Sequence, residues 1–224
     1  MNQQYDCSHT LAASITKAAS KQTYHTIQFL VDRDLVADAY KAYGYFRWVD
    51  DILDAPEGSL ARKVAFIQRQ RSLLEAFYHR AQDAPICPEE QILADLVRSD
   101  AEVNSGLQIY LRNMMDVMSF DVARRWRVIC RAELDGYTRN LAVAVTEAMY
   151  YFIGHSDSSP AGDHRYLAVT AAHITHMLRD TIEDVRNGYF NIPGEYLRER
   201  GITAQQVDSP AYRDWVCGRI QLAR

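Results

Sequence analysis

Three carboxylates stand within five residues in the stretch RWVDDILD, Arg47 to Asp54. Far downstream, LRDTIEDVRNG adds Asp180, Glu183 and Asp184, again beside an arginine, Arg179. If both stretches are helical, Asp50 shares a face with Asp54, and Asp180 with Asp184. Like charges so placed cost each other roughly a few tenths of a kcal/mol. Arg47, three residues before Asp50, offsets part of that. Traced back along its stripe, the second stretch leads to His176 and His173, a polar line on a helix otherwise made largely of Ala, Ile, Val, Met and Leu. Polar groups on a core-facing stripe are expensive unless they have partners.

Either stretch alone reads equally well as a solvated, charged helix face. Two of them facing each other in one helical domain would offer hard oxygen donors from both sides of a cavity. That arrangement suits Mg²⁺, which takes a few carboxylates and fills its remaining positions with water and substrate phosphates. The implied substrate is a diphosphate. Metal-assisted loss of pyrophosphate would leave an allylic carbocation that aromatic faces stabilise. A di-iron bundle would want Glu-x-x-His on two helices, and the sequence has no such pair.

The elements that must position these groups are helices. The pattern predicts helices over about 34–54 (stopped by Pro56 and Gly58), 60–79, 90–97, 103–121, 132–153, 164–186 and 211–222. Pro88 with two following glutamates marks a helix start. Gly188 sits in a C-cap position with Pro193 beyond. AQDAPICPEE and GHSDSSPAGD read as loops. With no repeat and no long linker, residues 1–224 read as one all-α domain, a helical bundle.

The totals agree. The chain has 224 residues, 48% hydrophobic, enough for one sizeable core. Its net charge of −4 argues against a nucleic-acid partner. The four scattered cysteines include no CxxC pair and read as free thiols of a reducing cytosol. The N-terminal residues lack the basic and apolar regions of a secretory signal, and no apolar run is long enough to span a membrane. The expectation is a cytoplasmic protein, peripheral to a membrane at most. The oligomeric state is not legible.

At this point the residues resemble the squalene/phytoene synthase family. Its first motif, roughly R-x-x-D-D-x-x-D after a Tyr-rich helix, is similar to YGYFRWVDDILD, with Tyr43, Arg47, Asp50, Asp51 and Asp54 on its positions. Its second is similar to HMLRDTIEDVRNGYFNIP, with Arg179, Asp180, Glu183 and Asp184. SKQTYHTIQFL resembles the N-terminal flap segment, with Thr23 and Tyr24 in the Ser-Phe positions. ELDGYTRNLAVAV resembles the helix carrying the site tyrosine, here Tyr137. The resemblance covers roughly residues 20–203.

That resemblance implies an isoprenoid-synthase-type bundle with a central cavity. Two prenyl diphosphates, farnesyl or geranylgeranyl, would bind there through Mg²⁺, or Mn²⁺ in its place. The first ionises and the second couples to it head to head. By carry-over, Asp50, Asp54, Asp180 and Asp184 are the metal ligands, with Asp51 either a ligand or the partner of a basic residue. Arg47 and Arg179 hold diphosphate or orient carboxylates. Tyr43 and Tyr137 face the reacting carbons, and Thr23 and Tyr24 contact substrate. The sequence leaves open whether NADPH serves a reductive second step, since no dinucleotide fingerprint is present.

The chain also departs from the family. His173 and His176 stand where the family carries Gln and Asn, so His173 becomes a substrate contact and His176 a metal or phosphate contact. Ala142–Val143 and Val145–Thr146 replace small Ala-Gly and Val-Gly pairs, which predicts a reshaped, shorter pocket. The family's C-terminal helices have no counterpart before Arg224. Two other readings follow from these departures. One is a cyclase or transferase acting on one prenyl diphosphate. The other is a non-catalytic relative serving as a binding or assembly factor.

Overall fold

Apolar residues recur every three or four positions with few Gly or Pro between them, and the chain is helical almost throughout. The computed structural model describes residues 2–80, 84–155 and 162–224, with side chains from Cys7 onward. Among the described residues the helices are α1 (Asn2–Ala19), α2 (Lys21–Leu30), α3 (Val36–Asp54), α4 (Leu60–Tyr78), α5 (Pro88–Ser99), α6 (Gly106–Arg124), α7 (Arg131–Ile153), α8 (Leu167–Arg179), α9 (Thr181–Asn187), α10 (Gly194–Arg200) and α11 (Pro210–Leu222). Two strands of two residues each, β1 (Arg127–Val128) and β2 (Tyr189–Phe190), pair in parallel. The protein is all-α, as expected. None of its described helices is long and apolar enough to cross a membrane.

Three features differ from the sequence reading. The N-terminal segment, for which no helix was expected, forms α1 and α2. The helix expected over 164–186 is a 3-10 turn, Asp163–Tyr166, followed by α8 and α9. The expected loops fall partly on 81–83 and 156–161, which lie outside the described residues.

The residues group into two compact units, Met1–Ser119 with Glu147–Ser159, and Phe120–Thr146 with Pro160–Arg224. In the first, α3 packs against α1 and α5. Gly44 permits the approach of α1, because a Cβ there would stand 3.0 Å from the carbonyl oxygen of Ala12 and 3.1 Å from its Cα. The next residue, Tyr45, is wholly buried and donates its hydroxyl to Gln70 Oε1 at 3.0 Å. Gln70 donates in turn to Glu90 at 2.9 Å. Arg69 donates twice to Glu90, at 2.8 Å each, and the Ile86 N–H donates to it at 2.8 Å. Glu90 is only 2% exposed, and burial alone would raise its pKa. Arg69, the Ile86 amide and Gln70 more than offset that, and the carboxyl ends below its usual range. This network ties α3, α4 and α5 together behind the first acidic motif. At the motif's far end, Lys63 donates to the carbonyls of Leu53 and Ala55 at 2.5 and 2.7 Å, satisfying acceptors that a helix end leaves open.

The core of the second unit gathers Ile129, Leu134, Met177, Phe190, Ile192 and Trp215. The helical path breaks at Asp180 (φ −93°, ψ 3°). Beside the break the Thr181 hydroxyl donates to the Met177 carbonyl at 2.8 Å, a bond to residue i−4 that bends helices. α9 then ends at Gly188, as its C-cap position predicted, with φ +86°. A Cβ at Gly188 would meet the Trp126 ring at 2.5 Å, and the Trp126 N–H donates to the Gly188 carbonyl at 2.7 Å. Glycine alone fits that backbone and that space.

The Gly44 contact generates a test. Gly44→Val should destabilise the protein by about 1–3 kcal/mol, the usual cost of overpacking, read as a lower urea midpoint. An unchanged midpoint would show that α1 can move away freely.

Candidate functional site

The first acidic motif occupies the last two turns of α3, whose other face is held by Tyr45 and Val49 in the core. Arg47 stands among its carboxylates. Its guanidinium pairs with Asp50 at 3.2 Å and also with Asp51. The hydrogen bond to Asp51 is the largest of the effects that raise the Arg47 pKa. Arg47 therefore orients two of the three aspartates, Asp50 and Asp51. Asp54 is exposed at the end of the helix. Tyr43 is half-buried one turn before Arg47. Tyr24 packs on Tyr40, with ring centroids 5.1 Å apart, and its carbonyl accepts from the Tyr40 hydroxyl at 3.0 Å. The Thr23 hydroxyl donates to Ser20, which caps α2. Tyr24 is thus attached to the motif helix through Tyr40.

The second motif straddles the break between α8 and α9, so the continuous polar stripe expected from sequence does not form on one helix. His176 is exposed, and Asp180 is partly exposed. Arg179 grips its neighbour Asp180 with two bonds of 2.7 Å, which lower the Asp180 pKa. Asp184, one turn into α9, has a different environment. Burial raises its pKa to about 6; Arg124 opposes the shift, while Asp180, Asp121 and Glu183 add to it.

Asp184 belongs to a network that the sequence reading missed. Asn191 donates to Asp184 Oδ2 at 2.8 Å. The Asn191 carbonyl oxygen accepts from Arg124 at 2.7 Å, and Arg124 donates through Nε to Asp121 at 2.6 Å. Asp121 accepts from the Tyr137 hydroxyl at 3.2 Å. The Arg124 guanidinium lies 4.5 Å from the centre of the Tyr137 ring and 5.0 Å from that of Tyr189. Burial pulls the Arg124 pKa down, yet Asp121, Tyr137 and Asp184 lift it above its ordinary value. The Tyr137 pKa is pushed far above normal, by burial first and then by Asp121. At neutral pH this residue is a phenol, not a phenolate.

His173 packs on Tyr137, with centroids 5.4 Å apart. Burial first, then Arg124, Arg219 and His176, lower its pKa to about 4. Its Nε2 is buried without a hydrogen-bond partner. The phosphate-holding imidazolium is thereby disfavoured, and the neutral imidazole is the form present near pH 7.

Residues 16–223 match the family model described as squalene/phytoene synthase. The chain belongs to this family. Two of its relatives are named presqualene diphosphate synthase, one from Rhodopseudomonas palustris and one from Sinorhizobium fredii. Each is 29% identical over a stretch covering 74% of this chain and 56% of the relative. The chain therefore spans little more than half the length of the curated relatives it matches.

The two acidic motifs of this family member lie in different units. Among the described residues, no three His, Cys, Asp or Glu side chains gather as a metal cage. The donors themselves are nearly all carboxylate oxygens, the chemistry a hard divalent cation takes when phosphates and water complete its shell. Asp184, partly buried and surrounded by Asp180, Asp121 and Glu183, is the donor that would benefit most from such a cation. The residues fit Mg²⁺ on these grounds.

The raised Asp184 pKa gives a pH test in chelator. Between about pH 4 and 6 the folded state holds the Asp184 proton more tightly than the unfolded state does. Its contribution to stability therefore falls as pH rises through that window and stays low above it. Compared with wild type, Asp184→Asn should gain stability from pH 4 to 6 and hold that gain at pH 7, as read by urea unfolding. A difference that does not change with pH would contradict the raised pKa.

Proposed function

We propose that the protein is an isoprenoid transferase that condenses two prenyl diphosphates head to head, with loss of one pyrophosphate. The observation that carries this reading is the ordered pair of arginine-paired acidic motifs within the family match. The name borne by the two relatives points the same way. In this reading Asp50 and Asp54 in one unit, and Asp180 and Asp184 in the other, would each offer carboxylates to Mg²⁺, which when bound neutralises diphosphate and favours its departure. Arg47 and Arg179 fix the carboxylates beside them and add positive charge for phosphate oxygens. The C–O bond of the first substrate breaks, giving an allylic cation. The double bond of the second substrate forms a C–C bond to it, and a proton is lost as a cyclopropane closes. Tyr43 and Tyr137 present aromatic surface to the cation. The proposed substrates are farnesyl or geranylgeranyl diphosphate.

A second reading rests on α7. Val143, half-buried, and Thr146, buried, stand where the family resemblance places glycines. Larger side chains at such positions would suit chemistry on a single prenyl diphosphate.

Incubation with either diphosphate and Mg²⁺, followed by pyrophosphate measurement and mass spectrometry of the organic extract, separates the readings. Head-to-head coupling gives a product with twice the substrate's carbons, and cyclisation gives one with the same number. Asp50→Ala and Asp180→Ala should each lower turnover by about 10²-fold or more, the scale of losing one transition-state charge stabiliser. A folded wild-type protein that releases no pyrophosphate from either substrate would count against both readings and favour a non-catalytic relative.

A further inference from the structure

The second unit contains a buried charged group outside both acidic motifs. Arg124 is only 5% exposed, far below what an arginine without partners tolerates. Its guanidinium is used on several sides at once. Nε donates to Asp121 and Nη1 donates to Asn191, while Tyr137 and Tyr189 lie against its face. These bonds end on two residues of the proposed site, Asp184 through Asn191 and Tyr137 through Asp121.

The direction of each bond is set chemically. Arginine has only donors, so Asn191 must turn its carbonyl oxygen toward Arg124. Its amide nitrogen is then left to donate, and it donates to Asp184 Oδ2. On the other side Asp121 takes one donor on each oxygen, Arg124 on Oδ1 and Tyr137 on Oδ2. Neither end can reorient without breaking a bond in a region shielded from water. A lysine would keep the charge, but its single nitrogen lacks the planar fork that reaches Asp121 and Asn191 together.

We propose that Arg124 is a positioning residue of the diphosphate site: with Asn191 and Asp121 it holds the Asp184 carboxylate and the Tyr137 hydroxyl in one fixed frame. This inference rests on the functional reading above. Arg124 itself touches neither the metal nor the substrate in this scheme. It acts through the orientation of Asp184, in the manner of the outer partners that steer metal-binding carboxylates.

The test uses the full chain and Mn²⁺ with inorganic pyrophosphate, following free Mn²⁺ by electron paramagnetic resonance. The variants are Asn191→Ala, Arg124→Lys and the two combined. Each single variant should weaken the Mn²⁺–pyrophosphate complex by about 10–100-fold, the usual cost of losing an outer partner. The double variant should bind no more weakly than the worse single one, because both changes break the same connection. Thermal melts without metal separate positioning from folding, since a purely structural arginine would lower the melting temperature and leave the affinity of the folded protein unchanged. If Arg124→Lys does not fold, Asn191→Ala, which removes no charge, decides alone. Wild-type affinity in a folded Asn191→Ala, or losses that multiply in the double variant, would overturn the proposal. If wild-type protein itself fails to bind Mn²⁺–pyrophosphate, the functional reading falls and takes this one with it. Wild-type binding that the variants leave unchanged removes only the role of Arg124.

Discussion

Carboxylates crowded on a helix repel one another unless a cation stands among them, and the positions of the arginines follow from that constraint. In the first motif the cation is Arg47, which spans Asp50 and Asp51 from one turn back on the same helix. In the second it is Arg179 for Asp180, and the buried Arg124, acting through Asn191, for Asp184. Each arginine takes up part of the repulsion and fixes the direction in which the carboxylates point. Packing then supports the arrangement from behind. The Tyr45–Gln70–Glu90 network backs α3, and the Trp126–Gly188 contact holds the end of α9.

The two motifs solve the problem at different depths, and the energetics differ accordingly. Exposed pairs such as Arg47–Asp51 and Arg179–Asp180 contribute little stability, because water screens them. They can rearrange readily, because water replaces whatever they release. Arg124 cannot, since a buried charge that loses one of its partners bears the full cost of desolvation. The second motif is therefore anchored on one side and open on the other. Asp180 and Arg179 face solvent, while Asp184 is held from within.

Much of this was legible in the sequence, and the misses have physical causes. The helices around the motifs were readable because apolar spacing, Pro88 and Gly188 are local signals, and α5 and α9 begin and end where those residues predicted. α1 escaped notice because NQQYDCSHTLAASITKAA carries few large apolar residues and no acidic start; its contact with α3 depends on Gly44 meeting the Ala12 backbone. The break at Asp180 escaped because it comes from one dihedral and a Thr181 hydroxyl bond, neither of which alters the apolar periodicity. The Arg124 network was hidden for a different reason. Arg124 and Asn191 are 67 residues apart, and no rule of helical spacing relates them. The only local hint was Asp121 three residues before Arg124, a pairing that also suits an ordinary surface helix.

The break at Asp180 also separates two carboxylates that a continuous helix would have made alike. They are four residues apart, and the N–H of Asp184 still donates to the carbonyl of Asp180. Yet Asp180, at the junction, keeps solvent and both bonds from Arg179, and its proton affinity falls. Asp184, turned into the unit, loses solvent and is surrounded by Asp180, Asp121 and Glu183, and its proton affinity rises to about 6. Environments that drive two neighbouring acids apart are a feature of sites that handle charge. Here the separation has a direct chemical consequence. Asp180 is a ready anion across the physiological range, while Asp184 still takes up a proton near pH 6. In the proposed reading a cation bound beside them would lower the Asp184 pKa, and the neutral Tyr137 hydroxyl would keep its hydrogen bond to the Asp121 carboxylate through that change.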